Sequence, residues 1–455
     1  MNSEMKKILS IIFSFFILFT STTCILAENP LEVPNNKFGI HITSENDLVD
    51  ASKLVNSSGG DWGYVTFVIT ESERNHDRWQ QVFDQMRRLH LIPIVRIATK
   101  PEGETWTIPK KEEIDGWVSF LNSLNWVTKN RYIIVSNEPN HAKEWGGKLD
   151  PAGYALYLKE FSAKMKESSS DFFILPAGLD GSSNNSRDTM EETRFLNLMV
   201  KAEPDIFDYI DGWNSHPYPN PSTYYYDTEL SYLKNLGVTK NLPVFITETG
   251  FSSEVYKEEE ISERFINAYK NTWNDPRVVA ITPFILNYPQ PPFGKYSWKK
   301  EDGSFYKHYS EVQKLEKIAG SPVQITSGQI LLAIAQPIMV PGTNYFGIVL
   351  AKNNGQSIWN SKSIFVTSDY DNNFAKGNSF LDTEPGKIAL MFFKAEAPKN
   401  VGLYSNSIYL RSINGNRITN SFPIEAALVN LDKMQINTFF AKIFSYFQNS
   451  LNLKF

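Results

Sequence analysis

Two glutamates stand directly behind apolar runs, in Val135-Ser136-Asn137-Glu138-Pro139-Asn140 and in Ile246-Thr247-Glu248-Thr249-Gly250. An unpaired carboxylate is costly to bury, so an acid that closes an apolar run belongs where a partner or a ligand can meet it. Two such acids facing one substrate can divide the work of breaking a glycosidic bond. One protonates the departing oxygen while the other stabilises or attacks the oxocarbenium-like carbon. Each also has a plainer reading: Asn-Glu-Pro can close a strand and cap the turn after it, and Glu248 can belong to a structural ion pair. Other chemistries lack their residues. The 6 histidines show no paired ligand spacing such as His-Glu-x-x-His, so neither a metal nor another cofactor is expected, and no Gly-x-Ser-x-Gly elbow is present for a serine nucleophile.

The elements that must position the two acids run from Phe38 to about Ala319, where short β-rich runs alternate with segments of helical periodicity. The expected strands are Phe38 to Ile42, Gly63 to Thr70, Ile92 to Ala98, Tyr132 to Asn137, Phe172 to Ala177, Ile210 to Ser215, Val244 to Thr247 and Val278 to Leu286. Helices are clearest at Arg78 to Leu89 and at Tyr154 to Met165, the second prefaced by Asp150 and Pro151 as N-cap and first-turn residue. Eight such units, with no glycine-rich phosphate turn after the first strand, predict an α/β fold of the closed (β/α)8 type rather than an open doubly wound sheet. Glu138 then ends the fourth strand and Glu248 the seventh. Both lie at the C-terminal mouth, where this fold builds its sites.

At these positions the sequence resembles the glycoside hydrolases of clan A, whose barrels carry the acid/base glutamate in an Asn-Glu-Pro ending strand four and the nucleophile at the end of strand seven. The resemblance covers the barrel, somewhat over half of the chain. His216-Pro217-Tyr218, after the sixth strand, looks like the His-x-Tyr of cellulase-like members. The resemblance implies that Glu138 is general acid and then base, that Glu248 is the nucleophile, and that Asn137 bonds the sugar hydroxyl beside the reacting carbon. It further implies that Tyr218 holds Glu248 by its phenol and that His216 lies near Glu138. Arg96, ending the third strand, looks like the clan's arginine beside the nucleophile, with a structural ion pair as its plainer reading. A retaining enzyme of this kind has its carboxyl groups about 5 to 5.5 Å apart. The sequence departs from the pattern at strand eight, which reads Phe284-Ile285-Leu286-Asn287-Tyr288 where many cellulase-like members carry a Trp. Tyr288 and Trp298 are the candidates to replace that sugar platform. Trp106, Trp145 and Trp213 are further candidate platforms or core residues, and His141 is a candidate substrate contact.

The rest of the chain bounds this reading. At 455 residues it is too long for one compact domain. A formal charge of -5 without a basic run argues against nucleic acid, and an aromatic share of 14% suits a neutral, stackable ligand such as carbohydrate. Lys6 and Lys7, the apolar run Ile8 to Phe19 and the small residues before Ala27 have the grammar of a signal peptide over residues 1–27, the alternative being an uncleaved anchor. Secretion or display at the cell surface is therefore expected, and the single cysteine, Cys24, lies inside the leader. The barrel is expected over 28–320.

From 321 to 432, helical periodicity gives way to β-rich runs separated by Pro341-Gly342, Asn353-Asn354-Gly355 and Asn414-Gly415, which predicts an all-β accessory sandwich. Its expected strands are Ile330 to Ala335, Tyr345 to Ala351, Ser363 to Thr367, Lys387 to Lys394, Ser407 to Ile413 and Phe422 to Leu428, and the module looks immunoglobulin-like. Residues 433–455 place Phe439, Phe440, Ile443, Phe444 and Phe447 on one helical face, fit either to dock on a domain or to touch a membrane surface. The function expected is an exported retaining glycoside hydrolase cleaving O-glycosidic, β-linked bonds. The rival readings are a barrel that binds glycan or cell wall without turnover and a transglycosylase on the same covalent intermediate.

Overall fold

The computed structural model describes residues 27–218, 225–369 and 374–430. The leader up to residue 26, Cys24 included, and the tail expected at 433–455 lie outside the described residues. Two compact units meet in the sequence at Val323 and Gln324, close to the boundary expected at Gly320.

In the first unit all eight expected strands form: β1 (Gly39–His41), β2 (Gly63–Thr70), β3 (Leu91–Ala98), β4 (Arg131–Val135), β5 (Phe172–Pro176), β6 (Trp213–Ser215), β7 (Val244–Ile246) and β8 (Val278–Ile281). Strands β1 to β5 pair in order and in parallel, as do β6 to β8. Two seams close the barrel. Phe38 bridges Ile281 in parallel between β1 and β8, while the Asp211 amide donates to the Ile174 carbonyl between β5 and β6. Helices α1 (Leu48–Val55), α2 (His76–Arg88), α3 (Ile114–Ser123), α4 (Pro151–Ser168), α5 (Glu192–Ala202), α6 (Tyr225–Asn235), α7 (Glu258–Lys270) and α8 (Lys307–Gln313) alternate with the strands. Asp150 caps α4 as expected, accepting from the Gly153 amide at 2.9 Å, with Pro151 in the first turn.

The period of two along each strand explains what reaches the mouth. Alternate side chains point inward. Tyr64, Ile92, Ile94, Tyr132, Ile134, Phe173, Leu175 and Phe245 fill the lower interior as one apolar cluster, with Tyr132 packed 5.1 Å from Phe173 and 5.4 Å from Phe245. Continuing the same parity upward gives Thr66 after Tyr64, Arg96 after Ile94, and Thr247 after Phe245, with Asn214 and His216 inward on β6. A polar storey therefore caps an apolar plug. The opposite faces of the strands, among them Val65, Val95, Ile133, Ile174, Val244 and Ile246, pack on the helices in the larger core.

The second unit is a β-sandwich of β9 (Gly328–Ile334), β10 (Ile338–Met339), β11 (Asn344–Asn353), β12 (Ile364–Ser368), β13 (Ala375–Ser379), β14 (Ile388–Glu396), β15 (Gly402–Ser412) and β16 (Phe422–Leu428). Its strand order is β9-β11-β14-β13 followed by β12-β15-β16-β10, the two groups touching through the single pair Val366 and Gly377. That order matches the two sheets of an immunoglobulin-like sandwich, with β10 added in parallel to β16. Trp359, Phe374, Met391, Phe393 and Leu410 are among its core residues. Six strands were expected from the sequence; β10 and β13 are additional.

Candidate active site

At the barrel's C-terminal mouth a cleft of about 710 Å³ opens, lined among others by His41, Arg96, Trp106, Asn137, Glu138, His141, Tyr218, Glu248 and Tyr288. Sites for small molecules fall in this size range. Glu138 stands three residues beyond β4 on a turn in which Ser136 and Glu138 have φ of 72° and 31°. Side chains other than Gly rarely adopt such backbone, so the turn is held by its surroundings: the Glu138 amide donates to the Gly178 carbonyl at 3.1 Å, and the His141 amide to the Glu138 carbonyl at 2.8 Å. Glu248, two residues beyond β7, is 7% exposed.

The two carboxylates have different neighbours. Arg96 Nη1 bonds Glu248 Oε1 and also donates to Asn137 Oδ1 at 2.7 Å, so one guanidinium ties β3 to the ends of β4 and β7. The Tyr218 hydroxyl donates to Glu248 Oε2 at 3.4 Å. Burial, the largest single influence, pushes the Glu248 carboxyl up, but the Arg96 guanidinium together with His216 and His41 prevails and holds the group below its ordinary value. Tyr218 itself is raised well above the usual phenol by burial and by the charges of Glu248 and Glu138, so it acts as a donor. His41 Nδ1 lies 3.8 Å from Glu248 Oε1 on the other side; burial lowers this imidazole to about 3 and keeps it neutral. Among the described residues no guanidinium bonds Glu138. Its Oε1 lies 3.1 Å from His216 Nδ1. One oxygen from each glutamate and one His216 nitrogen all lie within 4.8 Å of one another.

Behind this pair runs a chain of hydrogen bonds. His216 Nε2 lies 3.1 Å from Thr247 Oγ1, which donates to Asn214 Oδ1 at 2.6 Å, and Asn214 Nδ2 donates to the Pro176 carbonyl at 3.1 Å. Gly178 makes room for the ring: a Cβ there would lie 2.2 Å from His216 Cδ2. Beside Glu138, His141 Nε2 lies 2.8 Å from Asp180 Oδ2 and 2.9 Å from Ser183 Oγ. Burial works to lower His141, but the Asp180 hydrogen bond and the charge of Glu138 prevail and raise it. A third carboxyl, Glu144, also lines the cleft; burial raises it, with Glu138 and Glu248 acting in the same sense against Arg96.

Of the site residues expected from the sequence, Glu138, Glu248, Asn137, His216, Tyr218, Arg96 and His141 converge, and Tyr288 lines the same cleft. Two expectations fail. Trp145 and Trp298 are each 1% exposed: Trp145 packs on Tyr154 and Tyr157, and Trp298 on Phe265 and His308. Their indoles complete the helix-strand core instead of offering a face to sugar, and the same holds for Trp213. Trp106 does line the cleft.

Strand β8 stops at Ile281, five residues short of the expected Leu286, so Phe284 stands just past the strand end and lines the cleft with Phe293, Tyr296 and Tyr288. Phe293 packs edge-on to Phe284 at 5.2 Å and to Tyr288 at 5.4 Å, forming an aromatic wall where a Trp was missed in the sequence. His41, Thr247, Asn214, Gly178 and Glu144 were not foreseen. For His41 the signal was present: it is a polar residue standing between Ile40 and Ile42 at an inward position of its strand.

No protein-family model matches the chain, and no curated protein matches it in sequence. Solved structures similar to it include a monomeric beta-xylosidase from Caulobacter crescentus CB15 (13% identity, TM-score 0.47, over 80% of this chain and 97% of that one). A family 39 glycoside hydrolase from Bacteroides cellulosilyticus WH2 aligns at 14% identity and a TM-score of 0.45, over 82% of this chain and 83% of that one. A beta-mannanase from Thermomonospora fusca in complex with mannotriose aligns at 13% identity and a TM-score of 0.39, over 61% of this chain and 87% of that one. At these identities and scores the functional reading rests on the geometry of the cleft.

Proposed function

We propose that this chain is a retaining glycoside hydrolase that cleaves β-linked O-glycosidic bonds of an oligo- or polysaccharide, with Glu138 as acid/base and Glu248 as nucleophile. The observation that carries the reading is the pair itself. Two carboxylates meet at the barrel mouth, one oxygen of each within 4.8 Å of the other, a close approach that fits the separation of about 5 to 5.5 Å between the carboxyl groups of retaining enzymes. Their surroundings also differ in the required sense: a guanidinium and a phenol favour the ionised form of Glu248, while Glu138 has an imidazole that can share a proton.

In the first half-reaction Glu138 gives its proton to the glycosidic oxygen as the C1–O bond breaks, and Glu248 forms a bond to C1. In the second, Glu138 takes a proton from water, the water oxygen bonds C1, and Glu248 leaves as a carboxylate. Asn137, fixed by Arg96, offers its amide N–H to the neighbouring sugar hydroxyl, a contact that strengthens as charge develops. Aromatic rings on the mouth loops suit the C–H faces of sugars. The leader's sequence grammar supports export, so the substrate is met outside the cytoplasm.

The test is turnover of aryl β-glycosides and β-linked polysaccharides by the wild type, Glu138→Ala and Glu248→Ala, with the anomer of the first product read by NMR. Retention, with a loss of at least about 1,000-fold in either variant on unactivated substrates, is the expected result. An inverted product, or full activity in either variant, sinks the assignment. Binding of oligosaccharide without turnover by the wild type favours the non-catalytic reading.

A further inference from the structure

Three strand ends behind the acid/base glutamate are wired together by groups whose donor and acceptor roles can be assigned one after another. The Pro176 carbonyl at the end of β5 can only accept. Asn214 must therefore present its NH2 to it, 3.1 Å away, because the flipped amide would set two carbonyl oxygens against each other. With Nδ2 so placed, Asn214 Oδ1 faces Thr247 Oγ1 at 2.6 Å, and the threonine hydroxyl is its donor. That hydroxyl has one hydrogen. Having given it to Asn214, Thr247 Oγ1 can only accept from its other neighbour, His216 Nε2 at 3.1 Å. Nε2 thus carries a hydrogen, and in the neutral ring Nδ1 is left as a bare lone pair 3.1 Å from Glu138 Oε1.

We infer that Thr247 and Asn214 are positioning residues that lock His216 in its Nε2–H tautomer, so that the Nδ1 lone pair holds the catalytic proton on the Glu138 carboxyl group. This rests on the assignment of Glu138 as acid/base. The opposite tautomer would place an N–H against Glu138 and favour its carboxylate, leaving no proton for the leaving group. Once Glu138 has given its proton away, the same lone pair faces a carboxylate. The mismatch favours reprotonation, which is what the base step with water requires. Atoms balance through the cycle, since His216 keeps its Nε2 hydrogen and exchanges none with substrate. Gly178 belongs to the same device: its missing side chain is the space that lets the ring stand between Glu138 and Thr247.

The other ionisable groups facing this pair are distributed around the mouth. Arg96 and Glu248 meet through β3 and β7, and His41 stands on β1. His141 with Asp180, and Glu144, follow β4 and β5, while Tyr218 and Tyr296 follow β6 and β8. None of them contacts either His216 ring nitrogen within hydrogen-bond distance among the described residues, so the relay through Thr247 alone decides which nitrogen is protonated.

The test needs two readouts. Long-range 1H–15N correlation of the wild type, with the His216 signals assigned through His216→Gln, should show a neutral ring with Nε2 protonated and Nδ1 bare near pH 7. A neutral ring with Nδ1 protonated, or an imidazolium that persists across the active pH range, overturns the inference. Thr247→Val removes the acceptor. It should move the basic limb of kcat/KM to lower pH and cut turnover of glycosides with poor leaving groups by about 10- to 100-fold, while sparing dinitrophenyl glycosides that need no protonation. Thr247→Ser should restore both.

If Thr247→Val keeps the wild-type profile and the wild-type tautomer, the relay has no role. Should that variant fail to fold, the wild-type spectrum and Thr247→Ser still decide. A wild type that cleaves no glycoside refutes the proposed function but leaves the tautomer measurement standing, so the two failures are distinct.

Discussion

Arg96→Met is the substitution that most directly probes why Glu248 is ionised. The Glu248 side chain is 9% exposed and that of Arg96 14%, so their contact is desolvated. Breaking a buried pair by removing one partner costs about 3–5 kcal/mol, because a charge is left behind. Tyr218 remains as a donor at 3.4 Å, which places the expected loss near the lower end, about 3 kcal/mol at pH 8. The same loss appears as an upward move in the ionisation of Glu248.

The sign follows from linkage. In the wild type Glu248 sits below its ordinary value, so its contribution to stability is present above the unfolded-state value and is lost as pH falls through the folded one. In Arg96→Met burial loses its strongest opponent, the folded state holds the proton more tightly than it does in the wild type, and the deficit relative to wild type shrinks as pH falls. Urea unfolding followed by tryptophan fluorescence at pH 5 and pH 8 measures the deficit, and the acid limb of kcat/KM should move to higher pH. A deficit equal at both pH values together with an unmoved acid limb would refute the claim that this guanidinium keeps Glu248 charged.

Trp145→Ala and Trp298→Ala should each lower stability by about 3–5 kcal/mol without changing KM in the folded fraction, whereas Phe293→Ala should raise KM with a stability change under about 1 kcal/mol; a KM effect for either tryptophan would return it to the sugar face. His308, which burial lowers to about 3, is protonated in the unfolded chain before the folded one, so it contributes a fall in stability of about 1.4 kcal/mol per pH unit below about 6.5, and His308→Phe should remove that share of the slope in denaturation series from pH 7 to pH 5 while the like share of His41 remains. Gly178→Ala should displace the His216 ring and reduce kcat by at least about 10-fold; unchanged kcat would mean that the ring's position does not matter.

The barrel was legible because strand and helix signals are strongest where they repeat. Gly63–Thr70 and Val244–Ile246 are β-branched or aromatic runs between amphipathic helices, and both formed as expected. The end of β8 was misjudged, because the apolar Phe284-Ile285-Leu286 drew the expected strand past Thr282-Pro283, although a proline without an N–H is the mark of where pairing stops. In the sandwich, Ala375–Ser379 was missed because its Gly377 and Asn378 read as a turn, and Ile338–Met339 because two residues carry no period.

At the site, acids ending apolar runs were visible, and so were the histidine and tyrosine spaced after β6. Tryptophan misled: its area makes it as apt for the core as for a ligand, and only neighbours such as Tyr154 or His308 decide. The polar storey of Thr66, Asn214, Thr247 and Thr282 escaped because single threonines and asparagines are common in strand ends; it becomes evident only when strands are laid side by side and Thr66 Oγ1 meets Thr282 Oγ1 at 2.8 Å.

On the face opposite the cleft, the first described residues are fastened to the base of the barrel. The Glu28 amide donates to Asn130 Oδ1 at 3.0 Å, Asn130 Nδ2 returns a bond to the Glu28 carbonyl at 2.7 Å, and Lys129 Nζ holds the Glu28 carboxylate at 2.6 Å. Leader removal after Ala27 would turn that neutral amide into an α-ammonium pointing at the same Asn130 oxygen, a charge-assisted bond in place of an ordinary one. Such a cleavage would act as a fastener, tightening the foundation of the barrel, and a chain starting at Asn29 should melt at a lower temperature than one starting at Glu28.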